Sequence, residues 1–165
     1  MEGRFDEETG APLTEEAAQL VAKATAAGTF HDTAGPGGAA GAAAVRGQEK
    51  LASVAPVAIA PGKWKYVQIE LRGSDGATKR IVRSFAGRKF HADMFEKAMQ
   101  ELEPLGLRGG VIGGGRIEYD TTAKTVNVYG YSKTFGRAAG CNELSASLIS
   151  QTMPECKVTW SDDGY

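Results

Sequence analysis

Apolar and polar residues alternate from Lys65 to Leu71 (Lys-Tyr-Val-Gln-Ile-Glu-Leu), which predicts a half-buried strand. Gly73-Ser74-Asp75-Gly76 then reads as a turn. Thr78 to Phe85, centred on Ile81 and Val82, reads as the returning strand of a hairpin. The period changes next. Phe90, Met94, Phe95, Ala98, Met99 and Leu102 recur at helical spacing, so Phe90 to Leu105 predicts an amphipathic helix, ended by Pro104 and Gly106. Val111 to Tyr119 reads as a strand bent or bulged at Gly113, Gly114 and Gly115. β-Branched and aromatic residues from Thr125 to Ser132 predict a further strand. Gly136 to Gly140 is a loop, and Asn142 to Met153 a second helix with Leu144, Leu148 and Ile149 inward. Lys157 to Trp160 is a last strand before an acidic, flexible end. The order ββαββαβ predicts an α/β (α+β) fold: a single compact domain with a mixed β-sheet of about six strands flanked by two helices.

The residues ahead of this pattern have another composition. Residues 1–62 hold 17 Ala and 9 Gly but only two aromatics, Phe5 and Phe30, with four basic against eight acidic residues. So few large apolar side chains cannot offset the entropy of ordering. Thr14 can cap a helix over Glu15–Ala27, with acids in its first turn and Gly28 as its stop. Its apolar stripe of Leu13, Ala17, Leu20, Val21 and Ala24 is thin. Residues 34–41, Ala-Gly-Pro-Gly-Gly-Ala-Ala-Gly, read as a flexible linker. The expected organisation is a disordered or weakly helical N-terminal flexible extension over 1–62 and a domain over 63–165.

Charge and cysteine content remove several classes of function. Nineteen Lys and Arg against 20 Asp and Glu give a net charge of −1, which supports neither nucleic-acid nor anionic-membrane attraction. No apolar run approaches the ~20 residues that span a bilayer. The acidic start, Met1 to Glu8, is unlike a secretory or mitochondrial leader, and two cysteines, Cys141 and Cys156, suit a reducing compartment. A cytoplasmic monomer is expected. Two histidines and two scattered cysteines give no metal-ligand spacing, so no metal and no cofactor are expected. The cysteine-phosphatase pattern requires Arg six residues after the nucleophile, where Ser147 and Asp162 stand. There is no GxxxxGK[ST] loop, and Glu118 breaks GxGxxG.

What remains is one histidine among cations. His91 begins the first domain helix, where the dipole and free N–H groups favour a neutral ring and nearby anions. A partly exposed helix-start histidine bonded to a carbonyl or to solvent is the plainer reading. Arg83 ends a strand and Arg116 follows the glycines, where backbone can approach a ligand closely; a simple bulge with Arg116 in solvent fits too. Lys65 begins a strand, and Ser132-Lys133-Thr134 lies between strand and helix, where loops present N–H groups to anions. Solvent-facing lysine and plain chain reversal are the alternatives, and the Tyr129/Tyr131 pair reads as packing. The set suits an anionic ester or phosphoramidate, and equally a phosphate-binding module.

As strings, Lys65-Tyr66-Val67, Ile81-Val82-Arg83, His91-Ala92-Asp93, Gly113-Gly114-Gly115-Arg116-Ile117, Val128-Tyr129-Gly130-Tyr131-Ser132 and Val158-Thr159-Trp160…Asp163-Gly164-Tyr165 resemble the Janus/ocnus family of protein histidine phosphatases, in the family's order. The resemblance covers nearly all of 63–165 and none of 1–62. It implies a compact mixed sheet with two helices and metal-independent hydrolysis of phosphohistidine, with phospholysine as a second substrate. It implies that His91 is catalytic, as a general base activating water or as a transient nucleophile. Lys65, Arg83, Arg116 and the loop Ser132, Lys133, Thr134 would then bind the phosphate. Phosphohistidine-containing proteins would be the partners. The alternative is a non-catalytic phosphohistidine-binding module. Animal members of the family carry Tyr at the positions of Phe90 and Phe135, and His within the segment matching 138–140, so secondary hydrogen bonds differ here.

Overall fold

The computed structural model describes residues 4–6, 11–27, 51–73, 77–87, 90–132, 135 and 138–162. Its elements are α1 (Glu15–Ala27), β1 (Val57–Ala58), β2 (Gly62–Arg72), β3 (Thr78–Arg83), α2 (His91–Leu102) with a 3-10 turn at Glu103–Leu105, β4 (Arg108–Asp120), β5 (Thr125–Tyr129), α3 (Cys141–Thr152) and β6 (Lys157–Trp160). One six-stranded sheet runs β1-β3-β2-β4-β5-β6. Its centre, β3-β2-β4-β5, is antiparallel, while the edge pairs β1–β3 and β5–β6 are parallel. The mixed α+β architecture expected from the periods is therefore present.

Alternation along β2 divides the molecule into two layers. Val67, Ile69 and Leu71 face α2 and pack with Met94, Phe95, Ala98 and Met99. Tyr66 faces the other way and packs with Ile117, Val128, Cys141 and Ile149 under α3. The bulge sits one residue before the glycines: Gln68 pairs with Gly113 and Ile69 with Val111, so Ile112 is the extra residue. Gly130, at φ 76°, ends β5 three residues short of the predicted Ser132 boundary.

α3 turns Ile149 and, in part, Leu148 inward as predicted, but not Leu144. Its buried residues are Cys141, Asn142, Ser145, Ala146 and Ile149, while Leu144 is exposed. The reason lies beneath it. Gln68 is fully buried in the sheet and donates to the Cys141 carbonyl at 3.0 Å and to Ser145 Oγ at 2.9 Å, so the helix must present polar atoms there.

Packed structure also begins before residue 63. Leu51, Val54 and Val57 are buried, and β1 pairs with β3 through Val57–Val82 and Ala58–Arg83. Lys79 Nζ donates to the carbonyls of Leu51 at 2.9 Å and Val54 at 2.6 Å. The helix expected at 15–27 is α1, and Thr14 Oγ1 accepts the Ala17 N–H at 3.1 Å as its cap. α1 lies against β4 and α2, with Ala17 and Ala24 fully buried and Leu13 exposed. The linker at 34–41 lies outside the described residues.

Candidate active site

His91 is the first residue of α2, and its ring is only 2% exposed, not the partly solvent-facing side chain expected at a helix start. It turns down onto β4, where the glycines make room. A Cβ on Gly114 would lie 2.7 Å from His91 Cδ2 and 2.4 Å from the Tyr66 carbonyl oxygen, so no other residue fits there without displacement. One position on, the Gly115 carbonyl lies 3.0 Å from His91 Nε2. A carbonyl can only accept, so this contact puts the proton on Nε2 and leaves the lone pair on Nδ1. Burial, and behind it the charges of Lys65 and Arg116, push the His91 pKa down to about 4 against the pull of the Gly115 bond. The ring is therefore neutral at neutral pH.

Lys65 and Arg116 stand directly opposite each other on β2 and β4. Each is two residues from a member of the pair Val67–Gly114, so both belong to the face that carries α2 and His91. Lys65 Nζ lies 5.5 Å from the centre of the Phe90 ring, immediately before His91. His91, Lys65 and Arg116 thus form one group: a neutral base with two cations beside it.

The other residues read from the sequence are placed differently. Arg83 is buried. Its Nη1 donates to the Val82 carbonyl at 3.0 Å and its Nη2 to the Ala55 carbonyl at 2.8 Å, which ties the 51–58 segment to the end of β3. Burial pushes its guanidinium pKa down, and Glu101 offsets this in part. Ser132 is fully buried, and its Oγ accepts the Phe135 N–H at 3.1 Å, so its hydroxyl shapes the loop that follows β5. Lys133 and Thr134 lie outside the described residues.

Two features had gone unread in the sequence. Behind the site, Asn142 Nδ2 donates to the carbonyls of Gly130 at 2.8 Å and Ser161 at 3.0 Å, and its Oδ1 accepts the buried Tyr66 hydroxyl. Beside the site, Phe5 packs on Phe90 with ring centres 5.2 Å apart. The signal for Phe5 was its isolation as one of two aromatics in an Ala/Gly-rich stretch.

Among the described residues, no three His, Cys, Asp or Glu side chains gather as metal ligands, and no helix is long and apolar enough to cross a membrane. Cys141 and Cys156 are buried free thiols.

The profile of the Janus/Ocnus family matches residues 51–157. Sex-regulated protein janus-A of Drosophila melanogaster is 39% identical over 119 residues, covering 72% of this chain and 87% of the fly protein. The 14 kDa phosphohistidine phosphatase of Sus scrofa is 36% identical over 110 residues, and that of Homo sapiens 34%, each alignment covering 63% of this chain and 86% of the mammalian protein.

Proposed function

This chain belongs to the Janus/Ocnus family, and we propose that it hydrolyses phosphohistidine in proteins, with His91 as the base that receives the proton of the attacking water. The observation that carries the reading is the neutral His91 held through Nε2 to the Gly115 carbonyl, with Lys65 and Arg116 on the same sheet face. The relatives called phosphohistidine phosphatase support the substrate class. A phosphoryl group docked on the two cations would bring negative charge beside the ring. That charge raises the affinity of Nδ1 for a proton at the moment the base is needed. The water oxygen then bonds to phosphorus as the P–N bond breaks. The bonding pair stays on the leaving imidazole nitrogen, which takes a proton from solvent, and the water proton passes to Nδ1. The loose transition state asks little of the nucleophile and much of the cations around the phosphoryl oxygens. The reading includes turnover without a metal, in the cytoplasm, by a monomer, with phospholysine as a second substrate.

Direct attack of Nδ1 on phosphorus, giving a transient phosphohistidine on His91, uses the same geometry. A separate reading is favoured by the 2% exposure of the ring: a module that holds phosphohistidine without turning it over. Release of inorganic phosphate from a phosphohistidine peptide decides between function classes. Wild type is expected to turn over and His91→Ala to retain less than about a tenth of the rate, as for loss of a positioned base. Tight binding by wild type without phosphate release would establish the module instead. A phosphorylated protein trapped by acid-free mass spectrometry would establish the covalent route.

A further inference from the structure

Residues 4–6 and 11–27 lie ahead of the family-matched segment, which starts at 51, yet they reach the candidate site. Arg4–Asp6 and Ala11–Leu13 form a small antiparallel bridge: Phe5 pairs with Pro12, Asp6 N–H donates to the Ala11 carbonyl at 2.8 Å, and Leu13 N–H to the Arg4 carbonyl at 2.8 Å. This bridge leads into α1, and together the two make a strap. Phe5, 3% exposed, and the fully buried Ala17 form a core with Ala92 of α2, onto which Leu20, Val21, Phe90 and Phe135 also pack. Arg4 Nη1 lies 3.1 Å from Glu96 Oε2 and 3.7 Å from Asp93 Oδ1, on the first turns of the helix that His91 begins.

We propose that this N-terminal strap is a positioning element of the active site, in which Phe5 fixes Phe90 and through it the Lys65 ammonium, and Arg4 neutralises Asp93 and Glu96 on the first turns of the helix that His91 begins. The inference rests on the phosphatase reading for its kinetics but not for its geometry. Phe90 has Phe5 at 5.2 Å and Lys65 Nζ at 5.5 Å from its ring centre. A ring free to turn would release the ammonium from its place over the ring face, and a cation displaced by an ångström loses much of its effect on a transition state. The two carboxylates would oppose an incoming phosphate dianion, and Arg4 cancels part of that field. The two residues therefore act on different kinetic constants. Phe5 affects kcat, and Arg4 affects KM.

The test uses the full chain with Phe5→Ala, Phe5→Leu and Arg4→Ala, a phosphohistidine peptide as substrate, and the NMR shifts of the Lys65 side-chain methylenes, which the Phe90 ring current moves upfield. Phe5→Ala is expected to lower kcat about tenfold, and Phe5→Leu, which keeps most of the buried volume and the melting temperature, about threefold. Both should move the Lys65 methylene shifts downfield. Arg4→Ala should raise KM severalfold at low ionic strength, by an amount that fades near about 0.5 M salt as the Debye length falls below 5 Å. It should leave kcat and the Lys65 shifts unchanged. A wild type that releases no phosphate defeats the phosphatase reading alone, and the Lys65 shifts then decide on the strap. Lys65 shifts unmoved in both Phe5 variants overturn the strap whatever the kinetics, as does Phe5→Leu with kcat at the wild-type level.

Discussion

Lowering the pH charges His91 in the unfolded chain long before it does so in the folded one. The ring has an ordinary pKa of 6.5 and a folded value of about 4, set first by burial and then by the Lys65 and Arg116 charges. Between those values the folded protein binds fewer protons than the unfolded chain, so falling pH draws the equilibrium toward unfolding. The contribution is present in full above pH 6.5 and is lost as pH falls toward 4. From the two pKa values the loss attributable to this ring, relative to neutral pH, is about 2 kcal/mol at pH 5 and approaches about 3 kcal/mol near pH 4. Urea unfolding, followed by the fluorescence of Trp64 and Trp160, measures it at pH 7.5, 6 and 5. The comparison is His91→Gln, which keeps a neutral polar side chain and does not titrate. His31 and all carboxylates are common to both chains and cancel in the difference. The stability gap between wild type and variant should shift by about 2 kcal/mol from pH 7.5 to 5, against the wild type. Parallel pH dependences would refute the burial of a neutral imidazole on Gly114, and with it the geometry assigned to the site.

Gly114→Ala puts a methyl group 2.4 Å from the Tyr66 carbonyl oxygen and 2.7 Å from the His91 ring. It should cost about 1–3 kcal/mol of stability and most of the proposed phosphatase activity, and a variant with wild-type melting and turnover would contradict the fit described. Lys65→Ala and Arg116→Ala should each lower kcat/KM by about 1.5–3 kcal/mol with little change in melting temperature. Arg83→Ala should instead lower the melting temperature, because it removes the two hydrogen bonds, to the Val82 and Ala55 carbonyls, that tie the 51–58 segment to the end of β3. The reverse pattern would place Arg83 at the phosphate. A chain beginning at Lys63 loses Leu51, Val54 and Val57 from the core and leaves the β3 edge bare, so it should melt well below the full chain. Equal melting temperatures would show those residues to be dispensable.

The central hairpin, α2 and the ββαββαβ order were legible because β2 and α2 each have one strongly apolar face, so the period of two and the period of 3.6 stand out in the string. β1 is two residues, Val57 and Ala58, too short for its period to stand out. The extension was undervalued for a different reason. A composition argument counts large apolar side chains, but α1 lies against β4 and α2 and buries small ones, Ala17 beside Phe5 and Ala92 and Ala24 in the core under α2. On α3, Ile149 and Leu148 turn inward as their spacing predicts, while Leu144 does not, because the buried Gln68 requires polar partners from the helix above it. At the site, the residue types His91, Lys65 and Arg116 were legible. Only the family resemblance brought them together, because their union depends on cross-strand register, which single-strand patterns do not reveal. Arg83 shows the converse: a cation at a strand end has the same signature whether it meets a phosphate or two carbonyls.

The two sides of β2 have divided work, and the division explains how one buried ring can be held so closely. Lys65 and Val67 look toward α2 and the candidate chemistry, while Tyr66 and Gln68 look toward α3. On that second side, Tyr66 meets Asn142, and Asn142 holds both the Gly130 carbonyl at the end of β5 and the Ser161 carbonyl after β6. Burial pushes the Tyr66 hydroxyl pKa up, so it remains a donor and the network keeps its polarity. Gly130 in turn abuts Gly115, where an added Cβ would lie 2.4 Å from the Tyr129 carbonyl oxygen and 3.2 Å from Gly130. Gly115 supplies the carbonyl that orients His91. The acceptor that sets the imidazole tautomer is therefore clamped from behind by hydrogen bonds on the opposite face of the sheet. This asks two things of the glycine run at once: open space toward His91 at Gly114, and contact with the β5 turn at Gly115. Side chains at these two positions would satisfy neither.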